Sequence, residues 1–364
     1  MDDGSSSDRL QSLSIDVSII VPVYNGEQWL EECLQSVVAQ SFTGSLEVSI
    51  FNDGSTDGTS EILAKYCDQG ASCSRMKWTI GSEPNRAEPG GVGYAKNRAV
   101  QQSSGQYLCF LDADDVMLED RVHLQYEAAQ ACENRLCLIG SRFIREPKDS
   151  TIRYSRWAND LSSRQLYDQA YTSHGPTVIA PTWFMSRALY NAVGGFQEEP
   201  RRGYPEDLDF FYRGLAVGAE LKKVERELTI YRYHRTSASF GVSEETIWEL
   251  RVRQFQTNVL NKWPHFTIWN AGKQGKKFYK SLTKDNQEKV VAFCDVDSKK
   301  LAQKVYEQYD AESRTITARV PIISYKTARP PAVICVKLDM TDGALEGYLR
   351  DLCWTEGVHY FHLS

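Results

Sequence analysis

The chain has 364 residues, with 42 Lys plus Arg against 48 Asp plus Glu and a formal net charge of -6 at pH 7. Hydrophobic residues at 41% and charged residues at 25% are ordinary for a folded protein, which excludes global disorder. The acidic balance argues against indiscriminate nucleic-acid binding but leaves room for a local basic face, and no apolar run approaches the ~18 residues needed to cross a bilayer.

The opening MDDGSSSDRLQSLS is polar and acidic, and residues 1–14 are expected to form a disordered tail. VSIIVPVY, residues 17–24, is a short continuous apolar run, the mark of a buried parallel strand. Asn25 is then placed to cap a helix, with Gln28 reaching back, and Trp29, Leu30, Cys33, Leu34, Val37 and Val38 give that helix one apolar face. LEVSIF is a second strand running into the polar turn NDGSTDGTS, and MKWTI a third. GVGYAKNRAVQQSSG reads as a loop entering a helix, after which YLCFL ends abruptly in Asp112-Ala113-Asp114-Asp115. This alternation predicts an α/β fold with a parallel sheet covered on both faces. Such sheets bind ligands beyond the carboxyl ends of their strands, so Tyr24-Asn25, Asn52-Asp53-Gly54 and Asp112–Asp115 should border one crevice.

The middle of the chain is less regular, with a strand near Cys137–Phe143, a Gly194-Gly195-Phe196 turn, an acidic helix start at Glu206-Asp207, the strand LTIYRYH and a long amphipathic helix from Ser243. After Lys262-Trp263-Pro264 the alternation restarts. FTIWN, VVAFCDVD and AVICVKL read as strands, and DSKKLAQKVYEQY and GALEGYLRDLC as helices. The expected division is a first domain over residues 15–262 and a smaller Rossmann-like domain over residues 263–364. Gly272-x-x-Gly275 with Asp295 hints at a dinucleotide fold without the full three-glycine fingerprint. The nine cysteines are scattered with no Cys-x-x-Cys pair, and several lie in apolar runs, which fits reduced core residues and a cytoplasmic location, with no disulfide partner and no membrane partner expected.

Several clusters carry chemistry. Asp112 and Asp114, one residue apart after a strand, can share a hard divalent cation, although an acid here can equally cap the following helix. Asp53 at a strand tip can accept the imide N–H of uracil. Asp207, with Glu206 beside it, can serve as a general base, although acids in a first helical turn also offset the helix dipole. His234 can complete an oxygen-rich metal shell, with Arg235, Ser237 and Ser239 following as possible phosphate donors.

Taken in order, Val21-Pro22-Val23-Tyr24-Asn25, Asp53-Gly54-Ser55-x-Asp57-Gly58, Gly93-x-Ala95-x-Asn97-Arg98, Leu111–Asp115, Gly194-Gly195-Phe196, Glu206-Asp207 and Tyr231-Arg232-x-His234 closely resemble the family-two glycosyltransferases of GT-A fold. The resemblance covers residues 17–239. It implies an inverting transfer from a UDP-sugar with Mn2+ or Mg2+, Pro22, Val23, Tyr24, Asn25, Asp53, Asn97, Asp112, Ala113, Arg235 and Ser239 around the donor, Asp112, Asp114 and His234 on the metal, and Asp207 as base. It also implies that the region of Trp183 shapes the acceptor pocket, although a core tryptophan is the plainer reading.

Over its whole length the sequence is similar to transferases that place galactose on queuosine in tRNA. That similarity implies UDP-galactose as donor and the anticodon loop as partner, gripped by basic residues among Arg201, Arg202, Lys222, Lys223, Arg232, Arg235, Lys273, Lys276, Lys277, Lys280 and Lys284. A UDP-N-acetylglucosamine transferase, a catalytically dead binding module and an NAD-dependent oxidoreductase are the competing readings.

Overall fold

The computed structural model describes residues 15–364 apart from 71–75, 84–87, 236, 311 and 339, and the side chains of 67–70, 238 and 239. The expected tail over residues 1–14 lies outside the described residues. The chain divides into two compact units. The first holds residues 15–150 with Ala180–Arg201 and Val224–Tyr233; the second holds Thr151–Ile179, Arg202–Lys223 and His234–Ser364.

An eight-stranded sheet gives the first unit its core. Its strands are β1 (Val17–Val23), β2 (Leu46–Asn52), β3 (Met76–Ser82), β4 (Tyr107–Phe110), β5 (Val116–Met117), β6 (Cys137–Glu146), β7 (Phe184–Ser186) and β8 (Glu220–Arg232), in spatial order β3-β2-β1-β4-β7-β6-β8-β5. β3, β2, β1 and β4 run parallel, and β7 turns antiparallel against β4. Every residue of β1 and β2 is buried; β1 reads as an apolar run apart from Ser18, whereas β2 carries Glu47 and Ser49 inward, where Glu47 Oε1 accepts from Ser18 Oγ at 2.6 Å and Ser49 Oγ donates to the Ala99 carbonyl at 2.6 Å. The core joins Ile19, Val21 and Val23 of β1 to Val48 and Ile50 of β2 and to Leu30, Leu34 and Val37 of helix α1 (Leu30–Val38). Each such side chain contributes ~1.5–3 kcal/mol when removed from water.

A six-stranded sheet lies within residues 266–362. It comprises β9 (Phe266–Trp269), β10 (Val290–Asp295), β11 (Val305–Asp310), β12 (Thr315–Ser324), β13 (Ala332–Ile334) and β14 (Tyr360–His362), in the order β11-β12-β10-β9-β13-β14. The parallel run β12-β10-β9-β13-β14 has the doubly wound order of a Rossmann-like sheet. At its first turn Asn270 takes φ +115, the backbone a first glycine would supply, and a Cβ at Gly275 would collide with the Asn270 carbonyl.

Two readings of local structure are corrected. The segment expected as one helix, DSKKLAQKVYEQY, is helical only over Ser298–Leu301; Lys304 takes φ +58, and the β-branched and aromatic residues that follow form β11. Asn25 does not cap α1, which starts at Leu30 with no side-chain cap. Among the described residues, seven cysteines are free, of which Cys33, Cys109, Cys137, Cys294 and Cys335 are buried. No helix of the described residues is long and apolar enough to cross a membrane.

Candidate functional site

In the first unit the register aligns three strand tips. Val23 of β1 lies opposite Asn52 of β2, and Ile20 of β1 opposite Phe110 of β4. Tyr24-Asn25, Asp53 and Asp112–Asp115 therefore leave the sheet side by side at its carboxyl edge.

Hydrogen bonds knit the first two loops together. The Asn25 amide donates to Ser55 Oγ at 2.8 Å, and the Thr56 amide donates to Asn25 Oδ1 at 2.8 Å. The Gly26 amide donates to Thr59 Oγ1 at 2.9 Å and the Glu27 amide to Asp57 Oδ2 at 3.0 Å. Asn25 sits at φ +51, so its side chain turns to the β2 loop instead of the helix it was expected to cap. Gly26 is required by close approach, since a Cβ there would stand 2.8 Å from Val23 Cγ2. Tyr24, 45% exposed, stands open at this edge beside the buried Val23. Asp53 is 2% exposed, and its two oxygens accept from the Gly90 and Gly91 amides at 2.8 Å each.

The β4 tip concentrates negative charge. Asp112 and Asp114 are half-buried, while Asp115 is buried. The Asp115 amide donates to the Asp112 carbonyl at 3.0 Å, and Asp115 Oδ1 accepts from the Arg232 amide at 2.9 Å, whereas its Oδ2 is buried without a hydrogen-bond partner. Burial, reinforced by the charges of Asp114 and Asp112, pushes the Asp115 carboxyl well above its usual range. Burial and then the charges of Asp115, Asp114 and Asp112 do the same to the Cys33 thiol. Tyr231 is pushed up to about 12, chiefly by burial, with Asp115 and Asp112 adding to it. Burial is the main cause of all three shifts, and the carboxylates of the β4 tip add to each; a divalent cation held by Asp112 and Asp114 would offset that added charge, and two carboxylates and a diphosphate are the oxygen-rich set such a cation prefers. Among the described residues no group of three or more His, Cys, Asp or Glu side chains stands ready to hold a metal.

In the second unit, Glu206 and Asp207 are half-buried in the first turn of the helix Glu206–Ala216, and Asp207 Oδ1 accepts from the Leu208 amide at 2.7 Å. Here too is half-buried His234, whose carbonyl accepts from the Ser237 amide at 3.1 Å, and exposed Arg235. Ser239 falls in the short helix Ala238–Gly241, with its side chain outside the described set.

Several expected contacts are turned inward. Asn97, on helix α3 of its unit (Val92–Gln101), donates to the Phe196 carbonyl at 2.9 Å and to Glu198 Oε1 at 2.8 Å. Its Oδ1 accepts from Tyr190 Oη at 2.7 Å and from the Phe196 amide at 2.9 Å, so all four of its hydrogen-bonding capacities are used within the protein. Trp183 is 1% exposed and stacked on Phe196 with ring centroids 6.2 Å apart, so it is a core residue and offers no face to an acceptor.

The expected cationic face is partly neutralised. Lys277 Nζ lies 2.8 Å from Glu245 Oε2 and over the Trp248 ring. Arg201 pairs with Glu199 at 3.3 Å and Lys222 with Glu220 at 3.2 Å, and Lys223 donates to the Asn159 carbonyl at 2.6 Å. Lys273 is exposed, and Lys276 Nζ stands 5.3 Å from the Tyr306 ring centroid. Sequence reasoning missed Arg232 as a structural group: it was read as a basic-face residue, yet its side chain is 5% exposed among acids. Its place beside His234 in Tyr231-Arg232-x-His234 was the only signal.

Comparison with known proteins agrees with this architecture. Residues 18–194 match the model of glycosyl transferase family 2. The uncharacterized glycosyltransferase RT0329 of Rickettsia typhi is 28% identical over 211 residues, 56% of this chain and 59% of that protein. EpsJ of Bacillus subtilis, an uncharacterized glycosyltransferase, is 26% identical over 272 residues, 72% of this chain and 74% of that protein. The crystal structure of S. aureus TarS 1-349 in complex with UDP-GlcNAc superposes with a TM-score of 0.52 at 20% identity, covering 74% of this chain and 71% of that one, which is a likeness of fold. The likeness to glycosyl transferase family 2 thus spans residues 18–194, just under half of the chain, and the mixed α/β architecture with its large Rossmann-like sheet is consistent with the GT-A fold.

Proposed function

We propose that this protein is an inverting, metal-dependent glycosyltransferase that moves galactose from UDP-galactose to a cyclopentene hydroxyl of queuosine in the tRNA anticodon. The observation that supports it most is the β4 tip, where Asp112 and Asp114 hold excess negative charge beside the β1 and β2 loops at one sheet edge.

In this reading Asp112 and Asp114 hold Mn2+ or Mg2+, which when bound offsets the charge developing on the UDP leaving group. His234 and Arg235, with Ser239, add ligand and phosphate contacts, and the loops after β1 and β2 seat the uridine, with Tyr24 as its open face. Asp207, set in a helix's first turn with Oδ1 already oriented by the Leu208 amide, takes the proton from the acceptor hydroxyl. Attack then comes from the face opposite the departing diphosphate, and an α-linked donor yields a β-glycoside. Galactose and queuosine rest on a resemblance read from the sequence alone, and the comparisons with known proteins support only a nucleotide-sugar donor. Surface ion pairs such as Lys277–Glu245 are worth ~1 kcal/mol or less and can exchange for phosphate when tRNA binds. The reducing-type cysteine pattern supports work in the cytoplasm.

Purified protein with Mn2+ should transfer galactose to queuosine-containing tRNA, read by mass analysis of the nucleosides, and tRNA from cells lacking the protein should lose the galactosylated nucleoside. The second reading is transfer of N-acetylglucosamine, for which TarS solved with UDP-GlcNAc supplies the motive; a donor panel containing both UDP-sugars decides between them. Transfer of neither sugar to that tRNA rejects the acceptor.

A further inference from the structure

The end of β8 carries a side chain that no part of the donor or acceptor chemistry uses. Arg232 is 5% exposed, while the acids that hold it, Glu32 on α1 and Glu146 at the end of β6, are 59% and 54% exposed. Its Nε donates to Glu146 Oε2 at 2.9 Å, its Nη2 donates to Glu32 Oε2, and its Nη1 donates to the Asp114 carbonyl at 3.1 Å. Its own backbone amide holds Asp115 Oδ1 at 2.9 Å, and the guanidinium lies 4.8 Å from the Trp29 ring centroid.

The planar fork thereby ties the peptide of Asp114 to two other elements, while the backbone amide of Arg232 holds the Asp115 carboxyl. We infer that Arg232 is a positioning residue that sets the Asp112–Asp115 loop in its cation-binding geometry; this rests on the reading of Asp112 and Asp114 as metal ligands. The fork's three directions are used at once, by two carboxylates and a carbonyl. A lysine ammonium is a point charge on a flexible stem and cannot reproduce them, so Arg232→Lys keeps the charge and loses the geometry. The two acids accept the guanidinium's charge, which leaves the Asp114 carbonyl bond to act as a strut.

The test compares wild type, Arg232→Lys and Glu146→Gln by calorimetry of UDP binding as Mn2+ is titrated, by the electron paramagnetic resonance spectrum of bound Mn2+, and by melting without ligand. Arg232→Lys should raise the Mn2+ half-saturation by at least ~10-fold, the usual scale for removing support behind a ligand, with an altered spectrum. Glu146→Gln, changed at the half-exposed end of the fork, should show a smaller rise and carries the test if Arg232→Lys does not fold. A lower melting temperature with unchanged Mn2+ half-saturation in both folded variants overturns the inference. Wild type that binds UDP with no dependence on Mn2+ instead removes the metal reading beneath it.

Discussion

The carboxamide of Asn97 brackets the peptide of Phe196, donating to its carbonyl and accepting from its amide at 2.9 Å each. The bracket works because Gly194 and Gly195 take φ +84 and +81, ending the helix Arg187–Val193 and turning Phe196 back toward α3. Phe196 in turn fills the space between Phe110, Trp183 and Tyr190. Asn97→Ala would remove the bonds that Asn97 makes to the Phe196 amide and carbonyl and to the Tyr190 hydroxyl. A loss of roughly 2–4 kcal/mol is expected, since each orphaned group costs ~1–3 kcal/mol. Urea denaturation measures it; a change below ~1 kcal/mol would show that water replaces the amide.

Asp114→Asn separates two consequences of the same charge. Without ligands the variant should melt at or above the wild-type temperature, because the buried Asp115 carboxyl loses a like-charged neighbour. With Mn2+ and UDP, wild type should gain thermal stability by mass action and the variant should gain little. Scanning calorimetry with and without Mn2+-UDP reads both. A variant still stabilised like wild type would remove Asp114 from the metal site.

Much of this site is legible in the sequence, for a physical reason. Buried parallel strands are mostly apolar, so β1 and β4 announce themselves; β2, with Glu47 and Ser49 buried, is marked instead by the polar turn that follows it, and these polar ends mark the carboxyl edge where Asp53 and Asp112 lie. Partners distant in sequence leave no such trace. Nothing around Asn97 foretells Tyr190 and Glu198, about a hundred residues away, and nothing around Arg232 foretells Glu32, two hundred residues away. Periodicity also failed where a strand carries mixed polarity: β12, TITARVPIIS, alternates on one exposed side of a hairpin and was passed over, and its partner β11 was read as helix. Trp183, within the mostly apolar buried segment Pro181–Met185, belongs to the core.

Asp207→Asn keeps the size of the side chain and an oxygen to accept from the Leu208 amide, so the first turn of its helix should stand. Removing the base should reduce transfer by ~100–10,000-fold while UDP affinity stays within about threefold of wild type. Single-turnover assays with UDP-galactose and calorimetry with UDP give the two numbers. Near-normal turnover would require another base, and the neighbouring Glu206, tested as Glu206→Gln, would be the next to examine.

A final prediction concerns acid stability in the second unit. His362 Nε2 lies 3.7 Å from Glu356 Oε1, yet this contact is not an ion pair at neutral pH: burial brings the imidazole down to about 4 from 6.5, and burial pushes the Glu356 carboxyl up despite its hydrogen bond from Gln169. Asp168 and Arg164, the charged neighbours of Glu356, act on it in opposite directions. Between pH 6.5 and about 4 the unfolded chain binds a proton at His362 that the folded chain refuses, so the folded state loses stability as pH falls through that window. The whole effect is on the order of 3 kcal/mol. Glu356 has the opposite sign, because its folded state holds a proton that the unfolded chain releases as pH rises above the ordinary range of a glutamate. His362→Leu should therefore flatten the loss of stability between pH 6.5 and 4 in urea titrations, whereas Glu356→Gln should leave that limb in place. A His362→Leu protein with the wild-type acid slope would mean that the imidazole already carries its proton in the folded state.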